Sequence, residues 1–250
     1  MFTVRNRMRP HPEREGQVLV ASRLADHSEC MVLSQLFRGK LCEDLARRPA
    51  RRLAAGEFVY RMGDPARSVY LVRRGLVKTA VVSPGGQELT LRIHRPGDVL
   101  GELCLCSGER REQAAAVEAS EVVAITLEML VARLRQDPLA ALDMTRVACE
   151  HLSEAYDRLR SLSADPTMYR LARTLMDLAA DLGESTPDGM LVLHYITQQE
   201  LAHLIGARRE VVSSLLNRLR DQRLIHYIRR GPITVDPGAL ADFLESAGHE

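Results

Sequence analysis

The chain has 250 residues, 46% of them apolar and 27% charged, with 34 Lys+Arg against 33 Asp+Glu. That length allows two domains of ordinary size and the composition is that of a soluble globular protein, while the near-neutral balance leaves a nucleic-acid partner to be argued from local charge alone. No Trp and only 4% aromatics disfavour a base-stacking platform for single strands, and five cysteines, an odd number, do not make a secreted disulfide framework.

No run approaches the ~20 consecutive apolar residues of a membrane span, and the opening MFTVRNRMRPHPEREG has charges without the apolar core of a signal peptide. A cytoplasmic protein with no membrane partner is expected. The Arg-, Pro- and His-rich start suggests a flexible arm over residues 1–29, followed by a short helical stretch around Leu33 to Arg47. From Arg51 to Leu127 short apolar runs alternate with turn signals. Gly63-Asp64, Gly75, Pro84-Gly85-Gly86 and Pro96-Gly97-Asp98 recur at intervals of about ten residues, the punctuation of an all-β barrel or jelly roll. Residues 30–136 are therefore read as a β-roll sensor domain.

The rhythm becomes helical at Asp137, a suitable N-cap before Pro138 at the first helical position. Leu142, Cys149 and Tyr156 recur at seven, and Thr145, Leu152 and Leu159 repeat three residues on. That two-row stripe over residues 137–163 is the mark of a helix that pairs with another helix, and it predicts a homodimer seam; packing on its own domain is the other reading of the same period. Cys149 would then face its symmetry mate, where an intersubunit disulfide could form. The stripe ends at Ser163-Ala164-Asp165-Pro166, with Asp165 expected to cap the next helix, Thr167 to Leu182. A turn at Thr186-Pro187-Asp188-Gly189 and an apolar run from Met190 to Ile196 follow. Residues 164–250 form the last predicted domain.

Within it, ITQQELAHLIGARREVVSSLLNRLRDQRLI carries the most information. Thr197 and Glu200 have capping-box spacing, Leu201, Leu204 and Ile205 give one apolar face, and Gly206 suits the left-handed turn between two helices. A second helix from about Arg208 to Asp221 would bury Val211 or Val212 with Leu215, Leu216 and Leu219. Its exposed start then offers Arg208, Arg209, Glu210, Ser213 and Ser214. Arg can donate twice to guanine, Glu can accept from cytosine, and Ser can reach base or phosphate, the chemistry of a major-groove reader. Arg208, Arg209, Arg218, Arg220, Arg223, Arg229 and Arg230 face only Glu210 and Asp221 in this stretch, so positive charge is concentrated where phosphates of double-stranded DNA would lie. The runs Leu224–Ile228 and Ile233–Val235 flank Arg229-Arg230-Gly231-Pro232 and predict a β-hairpin wing. A helical hairpin with a solvated Arg-rich face is the plainer reading, and the ordered set of cap, turn, polar helix start and wing argues against it.

The order of β-roll, long helix and winged helix-turn-helix resembles the family of the cyclic-AMP receptor protein and the fumarate-nitrate reduction regulator (Crp/Fnr), over about residues 30 to 236. The resemblance rests on Gly97-Asp98-Val99-Leu100-Gly101-Glu102-Leu103, on ITQQELAHLIGARREVV and on LIHYIRRGPITV. It implies an α+β fold and a dimeric transcription regulator that works with RNA polymerase. Arg209 and Glu210 match the family's base readers, Ser213 and Ser214 lie beside them, and Gln198 and Gln199 match backbone contacts; where the family usually has a second Arg, Ser214 stands. Gly101, Glu102, Leu103, Arg110 and Arg111 match the effector region. In the cyclic-nucleotide branch an Arg-Ser pair holds the cyclic phosphate, and here Glu112 stands where Ser is wanted, unfavourable by roughly a kcal/mol or more beside a phosphate. Residues 27–37, HSECMVLSQLF, look like the cysteine segment of the oxygen-sensing branch, but the iron-sulfur cluster ligands of that branch align with Ser28, Met31, Phe37 and Val123, none of them a thiolate.

The sequence therefore names no cofactor. Haem needs only one or two axial ligands, which spacing does not reveal, so it stays open. Cys104 and Cys106 would point to one side of a strand, as small buried hydrophobes or, with Cys30 or Cys42, as an unorthodox metal or redox site. No metal-ligand spacing, nucleophile elbow, P-loop or dinucleotide fingerprint occurs, so an enzyme is not expected. The leading reading is a sequence-specific, homodimeric DNA-binding regulator, controlled by an effector or constitutively active. The competing one is a cyclic-nucleotide-like ligand-binding or protein-interaction module with nonspecific DNA binding.

Overall fold

The computed structural model describes residues 48–187, 189–193, 196–227 and 231–247. The arm over 1–29, the stretch Leu33 to Arg47, Cys30 and Cys42, and the wing arginines Arg229 and Arg230 lie outside the described residues.

The first unit is two four-stranded antiparallel sheets laid face to face. One runs β1 (Arg51–Leu53), β8 (Ser120–Thr126), β3 (Ser68–Arg74), β6 (Val99–Leu100); the other runs β2 (Phe58–Tyr60), β7 (Gln113–Ala116), β4 (Val77–Val82), β5 (Glu88–His94). This is the β-roll that the turn punctuation predicts. Period-two burial explains it: Val72 on β3, Val77 on β4 and Val122 on β8 are buried together between the sheets, while Val69 and Val123, on the opposite faces of β3 and β8, are buried in the core beneath the helices that follow. Cys104 and Cys106 depart from expectation. They sit on a 3₁₀ turn, Glu102–Leu105, and at its C-cap, so Cys104 is buried and Cys106 exposed, and they do not share a strand face.

Helix α1 (Leu127–Gln136) starts at the Thr126 cap and ends at Asp137. Asp137 accepts from the amides of Leu139 and Ala140 at 3.1 and 3.3 Å and begins helix α2, Pro138–Ala164, as the cap-and-proline signal predicts. This 27-residue helix buries Ala140 and Val147 under the β-roll with Val99, Val123, Ile125 and Leu130. The cap predicted at Asp165 is not found. Asp165 closes α2, and Pro166 precedes helix α3 (Thr167–Leu182) without a side-chain cap. The Asp165 carboxylate turns to Arg160 at 3.7 Å and its carbonyl accepts from Arg170, so the turn is held by cations.

The second unit is α3, α4 (Gln198–Ile205), α5 (Arg209–Asp221) and α6 (Pro237–Ala247) around a sheet in the order β11 (Ile225–Tyr227), β12 (Ile233–Val235), β10 (Leu191–Leu193), β9 (Glu184–Ser185). The wing hairpin pairs as predicted, with Ile225 opposite Val235 and Tyr227 opposite Ile233. Leu171, Leu175, Leu201, Leu216, Leu219 and Leu240 are fully buried in one core. No helix among the described residues is long and apolar enough to cross a membrane.

Because Leu216 lies at 0% exposure in that core, Leu216→Ala should destabilise the C-terminal unit by ~2–5 kcal/mol, the usual cost of a Leu-to-Ala cavity. Urea unfolding of the two proteins measures it, and a loss below about 1 kcal/mol would contradict this packing.

Candidate nucleic-acid interface and effector region

The helix-turn-helix is built by local chemistry. Thr197 Oγ1 accepts from the Glu200 amide at 3.1 Å, and Glu200 Oε2 accepts from the Thr197 amide at 3.2 Å, a complete capping box. Gly206 ends α4 at φ 63°, the left-handed conformation that lets the chain reverse into α5. A side chain there would also press Leu162 of α2, whose Cδ2 lies 3.0 Å from the position of an added Cβ.

Helix α5 buries Val212, Leu215, Leu216 and Leu219. That resolves the open pair: Val212 is in the core and Val211 is 42% exposed. The opposite face presents Arg208, Arg209, Glu210, Ser214 and Arg218 to solvent, with Ser213 half-buried. Among the described residues none forms an ion pair with Arg208, Arg209 or Arg218. Arg208 is the N-cap residue and no side chain caps the amides that follow it. The helix thus ends in free N–H donors at the positive end of its dipole, suited to a phosphate oxygen. On α4, Gln198 is half-buried and Gln199 exposed.

Sequence reasoning missed how the wing is tied to this helix. The Tyr227 hydroxyl donates to Asn217 Oδ1 at 2.9 Å, and Arg220 lies 5.2 Å from the Tyr227 ring centroid. The Tyr227 phenol, beside Ile225 and His226 in the wing strand, is the signal that could have pointed to it.

The effector region contains more buried charge than its motif suggests. Gly101, at φ 82°, opens the 3₁₀ turn, and an added Cβ would lie 2.6 Å from Arg110 Nη1. Arg110 is 5% exposed. Its guanidinium donates to the carbonyls of Gly101, at 2.9 Å, and Ser68, and lies 4.0 Å from the Tyr60 ring centroid. Glu112, also buried, accepts from the Tyr60 hydroxyl at 2.8 Å. Burial pushes the Glu112 carboxyl up, against the opposing hydrogen bond of Tyr60. Burial and then the Glu112 charge raise the Tyr60 phenol as well.

Glu102 Oε1 lies 2.9 Å from Nδ1 of His151 on α2, joining the β-roll to the long helix. Burial works to raise the Glu102 carboxyl, but the His151 hydrogen bond, the backbone amide and His94 outweigh it and hold it below the ordinary carboxylate value. His94, fully enclosed on β5, is pulled down to about 4, by burial first and then by Arg92. Leu103 is 40% exposed and Arg111 lies at the surface, so neither joins Arg110 inside. His151 and Tyr60 were not among the expected site residues; they come from distant segments and carry no local motif.

The predicted seam residues share one exposed face of α2. Leu142, Leu152, Tyr156 and Leu159 are 51–64% exposed, and Cys149 is exposed between them.

Residues 50–137 match the cyclic nucleotide-binding domain family, and residues 169–243 match the Crp-like helix-turn-helix domain family. The cyclic AMP receptor protein of Thermus thermophilus is 34% identical over 208 residues, 81% of this chain and 92% of that protein. The anaerobic regulatory protein of Bacillus subtilis is 30% identical over 185 residues, 73% of this chain and 78% of that one. Among solved structures, a CRP/FNR-family transcriptional regulator from Thermus thermophilus superposes with a TM-score of 0.67 at 29% identity, covering 80% of this chain and 100% of that one.

A buried carboxyl whose pKa is raised on folding favours its protonated form, so its contribution to stability is full below the ordinary value and lost as pH climbs through the raised one. Wild type should therefore lose stability relative to Glu112→Gln as pH rises above the ordinary value of 4.5. Thermal unfolding of both proteins from pH 4 to 8 tests this, and parallel curves would contradict it.

Proposed function

The chain belongs to the Crp/Fnr family of transcription regulators, and from that premise we propose that it acts as a homodimer reading two half-sites of duplex DNA with its α5 helices. The observation that carries this reading is the division of α5 into a buried apolar face and an opposite face of Arg208, Arg209, Glu210, Ser214 and Arg218 open to solvent. Regulators of this family bind DNA and act as dimers.

Arg209 is the guanine reader, donating twice to O6 and N7, and Glu210 accepts from the paired cytosine. Ser214 offers one hydroxyl where a second Arg would read another base, so the half-site differs from that of relatives with Arg there. Arg208, Gln198, Gln199 and Arg218 contact phosphates, and Arg229 and Arg230 extend that contact from the wing. The dimer seam is the exposed face of α2. A row of Leu142, Thr145, Cys149, Leu152, Tyr156 and Leu159 at alternating steps of three and four, on the side of α2 that does not pack on its own chain, is best covered by the same face of a second copy.

No effector of the cyclic-phosphate class fits the β-roll in the way the family resemblance implies. The Arg110 guanidinium is engaged by two backbone carbonyls and an aromatic face, and the buried Glu112 carboxyl would oppose a phosphate. The Glu102–His151 contact already bridges β-roll and α2 without a ligand. This favours a regulator that reaches its DNA-binding form unaided, with RNA polymerase as its downstream partner.

Arg209→Ala should weaken binding to a selected site by ~1–3 kcal/mol while leaving random-sequence binding nearly unchanged. Competition titrations at fixed salt measure both, and an equal loss on random DNA removes Arg209 from base reading. Leu152→Asp should give a monomer in sedimentation and lower full-site affinity on the order of a hundredfold or more; a dimer that persists would place the seam elsewhere.

A further inference from the structure

A second group of charged side chains lies away from both the reading face and the effector region, where the β4–β5 hairpin meets α4. Glu88 of β5 is its centre. Lys78 Nζ donates to Glu88 Oε1 at 2.7 Å, Gln113 donates to Oε2 at 3.1 Å, and Nδ1 of His203 on α4 lies 3.0 Å from Oε1. Lys78 is also 3.9 Å from Glu200, the residue that closes the α4 capping box. The side chains of Lys78, Glu88, Glu200 and His203 are only 13–21% exposed. Such enclosed charges depend on one another, unlike a solvated surface pair, because removing one leaves its partner buried and unbalanced.

His203 faces both ways. The Gln199 amide lies 2.6 Å from Nε2, while Nδ1 sits within ion-pair distance of Glu88 without a hydrogen bond. The rest of β5 extends the contact. Leu89 reaches toward Gly206, Ile93 packs on the core of the C-terminal unit, and Arg95, just past the end of the strand, is 3.6 Å from Asp181 of α3. Arg158 of α2 donates to the carbonyls of Leu91 on β5 and Leu204 on α4, joining three elements at one guanidinium. Throughout, α5 keeps Arg208, Arg209, Glu210 and Arg218 exposed. The docked unit is thus held by a side other than the exposed face of α5.

We propose that Lys78, Glu88 and His203 are positioning residues for DNA recognition, clamping the helix-turn-helix onto the β-roll of its own chain so that both α5 helices of a dimer are presented at a fixed separation. This rests on the dimeric reading above. Fixed separation raises the effective concentration of the second recognition helix once the first has bound, and it does nothing for a single half-site. Strand β5 also carries His94 inside the roll, beside Glu102, so the clamp and the effector region share one strand.

The test compares wild type, Glu88→Gln, His203→Gln and their double variant on a selected two-half-site duplex, on the isolated half-site and on random DNA. Each single variant should lose roughly tenfold on the full site and less than about twofold on the other two, with the double variant no worse than either single. Circular dichroism checks that each is folded, and Lys78→Gln, which removes the cation from both acidic partners, must show the same full-site loss. An equal loss on full and half sites, no loss on either, or additive losses in the double variant would overturn the clamp. A wild type that binds the half-site as tightly as the full site would overturn the dimeric reading instead.

Discussion

A helix of 27 residues standing between two domains must find a partner for every apolar side chain around its circumference, and α2 has three sides to settle. One carries Ala140 and Val147 into the core beneath the β-roll. Another sends Arg158 and Leu162 against β5 and the turn at Gly206. The third, with Leu142, Leu152, Tyr156 and Leu159, is left to water in a single chain. On the reading proposed above, the cost of leaving such a stripe exposed is what brings a second copy in. Pairing of the third face would fix two β-rolls relative to each other, and each roll carries a helix-turn-helix against its β5 strand.

The interior of the roll shows how the same position in a fold can hold different chemistry. A buried guanidinium needs compensation, and Arg110 finds it in backbone carbonyls and aromatic faces of its own chain. Glu112 takes a phenolic hydrogen bond, and burial holds its pKa above the ordinary carboxylate value. Glu102 meets His151 on α2. Arg110 Nε alone of these groups is buried without a hydrogen-bond partner, and the Glu102–His151 contact connects the roll to α2. On our reading, the bridge between sensor and dimer helix is made of side chains.

Much of this architecture was legible from local chemistry. Asp137 before Pro138, the Thr197–Glu200 box and Gly206 each act within four residues, so their spacing alone predicts the helix ends that are found. The wing hairpin was readable for the same reason. Local reasoning failed where distant segments decide. Asp165 has the composition of an N-cap, yet cations on either side of the turn draw it to the end of α2. Cys104 and Cys106 looked like one face of a strand because the spacing does not show the αL residue Gly101, which starts a 3₁₀ turn and whose carbonyl accepts from the distant Arg110. Glu88 and His203 lie more than a hundred residues apart, and nothing near either one signals the other. The base-reading assignments of Arg209 and Glu210 come from the exposed helix face together with the family resemblance.

On the reading proposed above, two copies of this chain read DNA in fixed register, with recognition helices about one helical turn apart. Its most direct measurement is affinity as a function of half-site spacing, using a site selected from random duplexes and inserts of about half a turn or a full turn between the halves. The account predicts that a half-turn insert reduces binding to the level of a single half-site, because it places the second half-site on the opposite side of the duplex. Affinity indifferent to the insert would contradict it.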